Sequence, residues 1–466
     1  MTSFYDLERH ADATALIAND GELVSYAALA RAAEQIAEHV APRSLVVQLC
    51  DNQPASIAGY LGFLRRGAVP LLVDGASRIA SLGPLLEAYR PRYVYLPEAS
   101  PDPIAGCTTL YAHDGYRLVD TPWAIDYALH DQLALLLTTS GSTGSPKLVR
   151  LSRDNLDANA DSIAQYLEIA SSDRAITTLP MSYSYGLSII HSHLLRGAAI
   201  IVTRATMMER AFWDAFKTHA ATTFGGVPYA YEMLKKLRFA RMNLPSLRYL
   251  TQAGGKLGDE LAAELAATCH DKGIRCFVMY GQTEATARMA YLPWQHARAK
   301  AGSVGIAIPG GRLWLEDGAG HEVEGAGVTG ELVYAGANVS LGYASDRHDL
   351  GKGDDNRGVL RTGDIARRDA DGFYYIVGRQ KRFLKIFGNR VNLDEVEQLV
   401  RAAGYDCACG GADDRLVVYV TQEVELAPVR TLVTERTGIN VQGLAVVRIE
   451  RIPRNESGKV LHSELP

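Results

Sequence analysis

One run in this 466-residue chain has the residue types that could hold an anion. Thr139, Ser140, Gly141, Ser142, Thr143, Gly144, Ser145, Pro146 and Lys147 emerge from an apolar strand predicted over residues 133–139. Glycines let a backbone turn tightly and approach a ligand, while hydroxyls and exposed N–H groups can surround phosphate oxygens. Lys147 adds a positive charge at the end of the run. It is not a Walker A loop, since Gly-x-x-x-x-Gly-Lys-Ser/Thr would need Gly at 146 and Ser or Thr at 148, where the chain has Pro146 and Leu148. Taken alone, the run fits a Ser/Gly surface loop as well as a phosphate cradle.

Other spacings are less informative. The six cysteines lie far apart except Cys407 and Cys409, and Cys-x-Cys lacks both the zinc-ribbon spacing and a second ligand pair nearby. Free structural thiols in a reducing cytoplasm are expected. No His-Glu-x-x-His occurs, and His191 and His193 are expected on a helix, at its surface or in the core.

Length suggests about three domain-sized units. Apolar residues make up 47% and charged residues 22%, which excludes a disordered, collagenous or coiled-coil chain. A net charge of −5 gives no electrostatic case for nucleic acid or an anionic membrane as partner. The N-terminus is charged early and reads as no secretory signal. The most apolar window, 187–202, is interrupted by His191, His193 and Arg196 and is too short to span a bilayer. A soluble cytoplasmic enzyme without membrane insertion is the expectation.

The elements that must position the loop alternate in type. Strands are predicted at 45–49, 69–73, 93–96, 133–139, 176–179, 199–203, 222–224, 249–252 and 275–279. Helices are predicted at 55–66, 79–89, 155–166, 208–219, 229–237 and 260–269. Such alternation means parallel sheets covered on both faces. From Val304 the texture becomes Gly-rich with short strands, an antiparallel sheet or small barrel. Near Arg379 it changes again, to a basic stretch, a helix at 393–402, a strand at 416–420 and a last helix.

Further motifs follow the loop in order. Ala253-Gly254-Gly255 precedes Tyr280-Gly281-Gln282-Thr283-Glu284, followed by a stretch from Gly330-Glu331-Leu332 to Gly342-Tyr343. Then come Arg361-Thr362-Gly363-Asp364, Gly378-Arg379, the run from Lys385 to Arg390, and Pro453-Arg454-Asn455-Glu456-Ser457-Gly458-Lys459. With Thr139 to Lys147 these resemble the adenylate-forming superfamily of AMP-binding enzymes: acyl- and aryl-CoA synthetases, adenylation domains of nonribosomal peptide synthetases, and luciferases. The chain departs from that pattern at Leu148, where the family usually has Gly. An echo at Leu61 to Pro70 extends the resemblance over the whole chain.

The resemblance implies an α/β fold with an N-terminal domain over 1–380 and a small mobile α+β C-terminal domain over 381–466, turning about hinge Lys381. The larger domain would hold two doubly wound α/β subdomains plus a small β-barrel-like subdomain. It also implies activation of a carboxylic acid by ATP as an acyl-adenylate, with release of pyrophosphate, then transfer to a thiol. ATP would lie against Thr139, Ser140, Gly141, Ser142, Thr143, Gly144, Lys147, Gly254, Gly255, Tyr280, Gly281, Gln282, Asp364 and Arg379. In this scheme Tyr280 stacks on adenine and Asp364 accepts from the ribose hydroxyls, with Arg379 beside it. Thr283 bonds the α-phosphate, and Glu284, with Thr139, holds Mg²⁺, a hard cation suited to carboxylate and phosphate oxygens. Lys459 bridges the carboxylate and α-phosphate, Lys385 is a candidate second-step residue, and Gly388 gives close approach to pantetheine.

The carboxylate pocket falls at Tyr183, Ser184 and Tyr185, with Gly225 and Gly226 at its floor. Amino-acid-activating members carry an Asp where a count back from Arg196 places Ser184. Without it a buried ammonium would be costly, which favours an acyl, hydroxy or aryl acid. The acceptor is expected to be CoA, since the chain stops soon after Lys459 without a fused carrier domain. The phosphopantetheine of a separate acyl or peptidyl carrier protein is the other acceptor. Two alternatives stand beside this reading: a stand-alone amino-acid-activating enzyme, and a catalytically silent regulatory homologue.

Overall fold

A computed structural model describes residues 3–100, 104–138, 147–379, 382–387, 389–421, 425–437, 439–454 and 460–466. Two large sheets carry most of the chain. The first orders its strands Ile306–Ala307, Ala290–Leu292, Arg275–Tyr280, Tyr249–Gln252, Thr223–Gly226, Arg174–Ile176, Ala199–Ile201, Thr14–Ile17 and Leu23–Ser25, parallel from Arg275–Tyr280 through Thr14–Ile17. The second orders Gly342–Ala344, Leu148–Ser152, Leu133–Thr138, Val69–Asp74, Leu45–Cys50, Tyr93–Pro97, Tyr116–Asp120 and Thr108–His113, with the middle four parallel. The expected pair of α/β layers is therefore present, with antiparallel strands added at the edges.

Residues from both sheets, such as Leu16, Ile200, Leu72 and Leu137, belong to one buried apolar cluster. Helices Pro54–Arg66, Arg153–Tyr166 and Ser184–Leu195 contribute Ile57, Leu156 and Leu187 to the same cluster. Each such side chain, fully buried, contributes about 1.5–3 kcal/mol.

The small antiparallel unit is a four-stranded sheet in the order Arg312–Glu316, Thr329–Ala335, Val359–Arg368, Tyr374–Arg379. Beyond it lie the hairpin Phe383–Ile386 with Asn389–Asn392, and a three-stranded sheet of Cys407–Ala412, Arg415–Val420 and Leu444–Arg448. Helices Leu393–Ala402 and Leu426–Thr437 pack on these last strands around a separate core that includes Val396, Val418 and Val433. All six cysteines are free thiols, five of them buried. Among the described residues no helix is long and apolar enough to cross a membrane.

Three elements differ from expectation for local reasons. The helix expected over 79–89 divides into a 3-10 turn Ile79–Leu82 and a helix Gly83–Tyr89. Pro84 has no N–H and clashes with the preceding turn, so it is tolerated only where a helix starts. The strand expected at 176–179 lies at Arg174–Ile176 and ends before Pro180, which cannot donate to a ladder. Helix Ser184–Leu195 has eleven of twelve residues buried. A helix buried on nearly every side shows little periodicity, so its limits were not legible around the expected His191 and His193.

That helix carries His191 and His193, both in the core. His191 stacks on Phe4 at 3.9 Å between centroids, and its Nε2 lies 2.8 Å from the Tyr60 hydroxyl. Burial pushes the His191 pKa down to about 3 and lowers that of His193. The unfolded imidazole takes its proton near pH 6.5 and the buried one only near 3. The stability it contributes is complete above pH 6.5 and lost as the pH falls toward 3, at up to about 1.4 kcal/mol per pH unit. Urea midpoints should therefore drop between pH 7 and 5, and by less in His191→Phe than in the parent. An equal drop in both would assign the acid sensitivity to other groups.

Candidate active site

The expected motifs begin where parallel strands end. Thr223–Gly226, Tyr249–Gln252 and Arg275–Tyr280 deliver Gly225 and Gly226, Gly254 and Gly255, and the segment from Gly281 to Glu284 to one edge of the first sheet. Ligand crevices form at such carboxyl ends. Thr139, Ser140, Gly141, Ser142, Thr143 and Gly144 lie outside the described residues, but the positions flanking them are fixed by the pairing of Thr138 with Leu148.

Gly281 is a steric requirement, because a Cβ there would stand 1.8 Å from the Ala287 carbonyl oxygen. Its absence lets the chain fold back until the Met289 N–H donates to the Tyr280 carbonyl at 2.9 Å. Thr286, at the turn, holds φ +64, strained for a β-branched residue. Its hydroxyl donates to the Asn338 carbonyl at 2.8 Å, and the Asn338 amide donates to the carbonyls of Ala285 and Arg288 at 2.9 and 2.7 Å. The short helix Thr283–Ala285 is thus held from both sides.

Asp364 anchors one half of the site. Strand register places it opposite Arg379, whose Nε donates to Asp364 Oδ1 at 3.0 Å. Asp364 Oδ2 accepts from the Tyr280 hydroxyl and, at 3.1 Å, from the Gln282 amide. The carboxylate is 2% exposed and takes three donors of the roughly four it can accept. Burial and then the Asp364 charge push the Tyr280 phenol well up, so that it remains a donor. The same charge raises the Arg379 pKa.

Glu284 anchors the other half. Its Oε1 accepts from the Tyr343 hydroxyl at 2.7 Å, and Lys147 Nζ lies 3.7 Å over the Tyr343 ring, a cation–π contact. Burial, followed by the Glu284 charge, raises the Tyr343 phenol. The sequence places Tyr343 at the end of a motif and indicates no role for it. Thr283 Oγ1 lies 3.3 Å from Ser184 Oγ at the start of helix Ser184–Leu195.

Arg150 holds this second half in place. Its side chain is fully buried, and all five guanidinium hydrogens have partners. Nε donates to the Tyr343 carbonyl (3.0 Å), Nη1 to those of Lys352 (2.5 Å) and Gly353 (3.1 Å), and Nη2 to Leu341 O (2.8 Å) and Asp355 Oδ2 (2.5 Å).

Behind Ser184 lies a small cavity lined by Tyr185, Ser188, Ser192, Thr251, Met279 and Arg288, among others. The Tyr185 hydroxyl bonds Thr251 O and Oγ1 at 2.7 and 2.8 Å. A Cβ at Gly225 would come within 2.8 Å of that hydroxyl, and one at Gly254 within 2.7 Å of the Tyr183 hydroxyl. Gly226 lies instead against Ala230 and Tyr231.

The structure therefore gathers Lys147, Tyr183, Ser184, Tyr185, Gly225, Gly254, Tyr280, Gln282, Thr283, Glu284, Asp364 and Arg379 around one crevice edge. Lys385 pairs with Arg390 in a hairpin elsewhere. Lys381, Gly388 and Lys459 lie outside the described residues. Among the described residues no three His, Cys, Asp or Glu side chains converge as a metal site.

A family model described as "AMP-binding enzyme" matches residues 4–344. The chain belongs to this family of adenylate-forming enzymes. It is 30% identical over 473 aligned residues to an indoleacetate–CoA ligase of Aromatoleum aromaticum, covering 94% of this chain and 91% of that one. It is 28% identical over 354 residues to a feruloyl-CoA synthase of Amycolatopsis sp., covering 72% and 70%. Its fold matches O-succinylbenzoate coenzyme A synthetase of Bacillus subtilis, solved with ATP and magnesium ion. The TM-score is 0.80 at 21% identity, over 100% of this chain and 99% of that one.

Arg150 gives a direct test of the geometry. Lysine keeps the charge but offers three donors to five acceptors, so Arg150→Lys should lose about 2–4 kcal/mol of stability. Equilibrium urea unfolding measures this, and an unchanged midpoint would mean that the five bonds contribute nothing net.

Proposed function

We propose that the chain is an ATP-dependent carboxylate–CoA ligase that makes an acyl-adenylate and then its CoA thioester. The observation that carries this reading is the meeting of motif residues from distant segments, Lys147, Thr283, Glu284, Asp364 and Arg379, at the carboxyl edge of one sheet. Membership of the AMP-binding family and similarity to CoA ligases support it.

Adenylation joins two anions, so its site must neutralise charge on phosphate oxygens as the carboxylate attacks. Lys147 and Arg379 supply fixed positive charge. Asp364 accepts the ribose hydroxyls once one of its present donors gives way. Thr283 presents a hydroxyl to the α-phosphate. A lone carboxylate at Glu284 fits Mg²⁺, which takes one or two carboxylates and completes its shell with phosphates and water. The metal would supply further charge neutralisation at the phosphates.

The division at residue 380, with Lys381 as hinge, belongs to the same proposal. The separate core around Val396 and Val418 supports a second unit able to present different faces in the two half-reactions. Lys459 then serves adenylation, and Lys385 with Gly388 serves thioester formation. An amino-acid substrate fits poorly, because no lining residue of the described cavity is acidic.

ATP–pyrophosphate exchange over short, long, aryl, hydroxy and amino acids tests the first half-reaction, and thioester formation with CoA or a carrier protein identifies the acceptor. Lys459→Ala should lower exchange about 100-fold or more while largely sparing thioester formation from supplied adenylate. Equal loss of both would refute the division of labour.

A further inference from the structure

Tyr343 stands between two charged residues at the phosphate end of the crevice. Its hydroxyl donates to Glu284 Oε1 at 2.7 Å, while Lys147 Nζ lies 3.7 Å over its ring. Among the described residues Glu284 Oε2 has no donor. The carboxylate therefore meets any ligand with one oxygen taken and one available.

The chain holds this arrangement from several sides. Strand Gly342–Ala344 pairs with Leu148–Ser152 in the register Tyr343 to Val149, and the Tyr343 carbonyl accepts from Arg150 Nε at 3.0 Å. Three residues earlier, the Ser340 N–H donates to the Glu284 carbonyl at 2.9 Å. One short segment, 340–343, thus fixes both the main chain and the side chain of Glu284. A phenol bonded to a carboxylate makes a charge-assisted hydrogen bond, about twice as strong as a neutral one, and it resists rotation of the carboxylate.

That restraint has a chemical consequence. Mg²⁺ is small and demands a near-octahedral shell, which a carboxylate binding through both oxygens distorts. Ca²⁺ has a larger and looser shell and accepts both oxygens of one carboxylate. With Oε1 already bonded, Glu284 offers the first kind of ligand and not the second.

We propose that the Tyr343 hydroxyl sets the metal selectivity of the site: by holding Glu284 Oε1 it leaves a one-oxygen ligand that suits Mg²⁺ and disfavours Ca²⁺. This rests on the ligase reading, in which Glu284 holds the metal, and it makes Tyr343 a positioning residue that acts through Glu284.

The test is calorimetric binding of ATP to the full chain, without any acid, in Mg²⁺, in Ca²⁺ and in EDTA. Tyr343→Phe removes the hydroxyl but keeps the ring under Lys147 and the carbonyl that Arg150 holds. Tyr343 is 40% exposed, so the change leaves the core untouched. Wild type should bind ATP about 10-fold or more tightly with Mg²⁺ than with Ca²⁺. Tyr343→Phe should weaken the Mg²⁺ complex about 10-fold, the usual loss when a partner that orients a metal ligand is removed. The Ca²⁺ complex should hold or tighten, so that the preference nearly vanishes, and binding in EDTA should match wild type. Added to Glu284→Gln, Tyr343→Phe should have no further effect with either metal.

A Mg²⁺ preference absent from wild type, or unchanged in Tyr343→Phe, would overturn the inference and leave the ligase reading standing. Equal weakening with both metals, the mark of a merely structural role, would do the same. An effect of Tyr343→Phe that persists beside Glu284→Gln would overturn the inference too, because it would not run through Glu284. No ATP binding by wild type under any condition would overturn the ligase reading and the inference together.

Discussion

Arg150 determines how much of the site is fixed before any ligand arrives. It lies three residues beyond Lys147, in the strand Leu148–Ser152, and its five hydrogen bonds end on Leu341, Tyr343, Lys352, Gly353 and Asp355. Five residues later, Asn155 repeats the same tie. Its Oδ1 accepts from the Ser152 N–H, closing a capping box, while its amide donates to the carbonyls of Ala337 and Val339 at 2.7 and 2.8 Å. The segment 337–355 is thereby bound to the strand Leu148–Ser152 and the helix Arg153–Tyr166. Tyr343 rides on that segment, which is why it can reach Glu284 and underlie Lys147 together. Satisfying every buried N–H of Arg150 is what makes the charge tolerable there, since burial alone lowers its pKa and Asp355 opposes the shift.

Asp364 plays the complementary role for negative charge. Its three donors come from two sheets, Tyr280 and Gln282 at the end of one and Arg379 on the other. The four-stranded sheet is therefore linked to the large one at the point where the motifs converge. Gln282 reinforces the link by donating to the Thr362 carbonyl at 2.9 Å, and Thr362 Oγ1 donates to Leu332 O at 2.7 Å. A carboxylate held this firmly is a fixed acceptor with about one place left for a further donor.

Much of this was legible in the sequence. The alternation of apolar strands with helices predicts both parallel layers, and the motif residues at 280–284, 364 and 379 meet as the family resemblance implies. What stayed hidden had no periodic or local signature. Helix Ser184–Leu195 is buried on almost every side. Arg150, an arginine inside an apolar strand, and Arg288, an arginine beside one, belong to no motif spacing that would mark them as buried. Tyr343 was recorded in a motif, but its role depends on Glu284, 59 residues away. Long-range partners of single side chains leave no trace in spacing.

The pocket shows how gaps and fillers can set size together. Gly225 and Gly254 leave out the Cβ atoms that the hydroxyls of Tyr185 and Tyr183 would otherwise meet. The space removed on one side is taken up from the other, and the Tyr185 hydroxyl is further bound to Thr251, as is that of Tyr231 at 2.6 Å. To extend the cavity, a long alkyl chain would have to break these bonds and leave buried polar atoms unpaired, at about 1–3 kcal/mol for each. A short substrate with a polar end meets no such penalty.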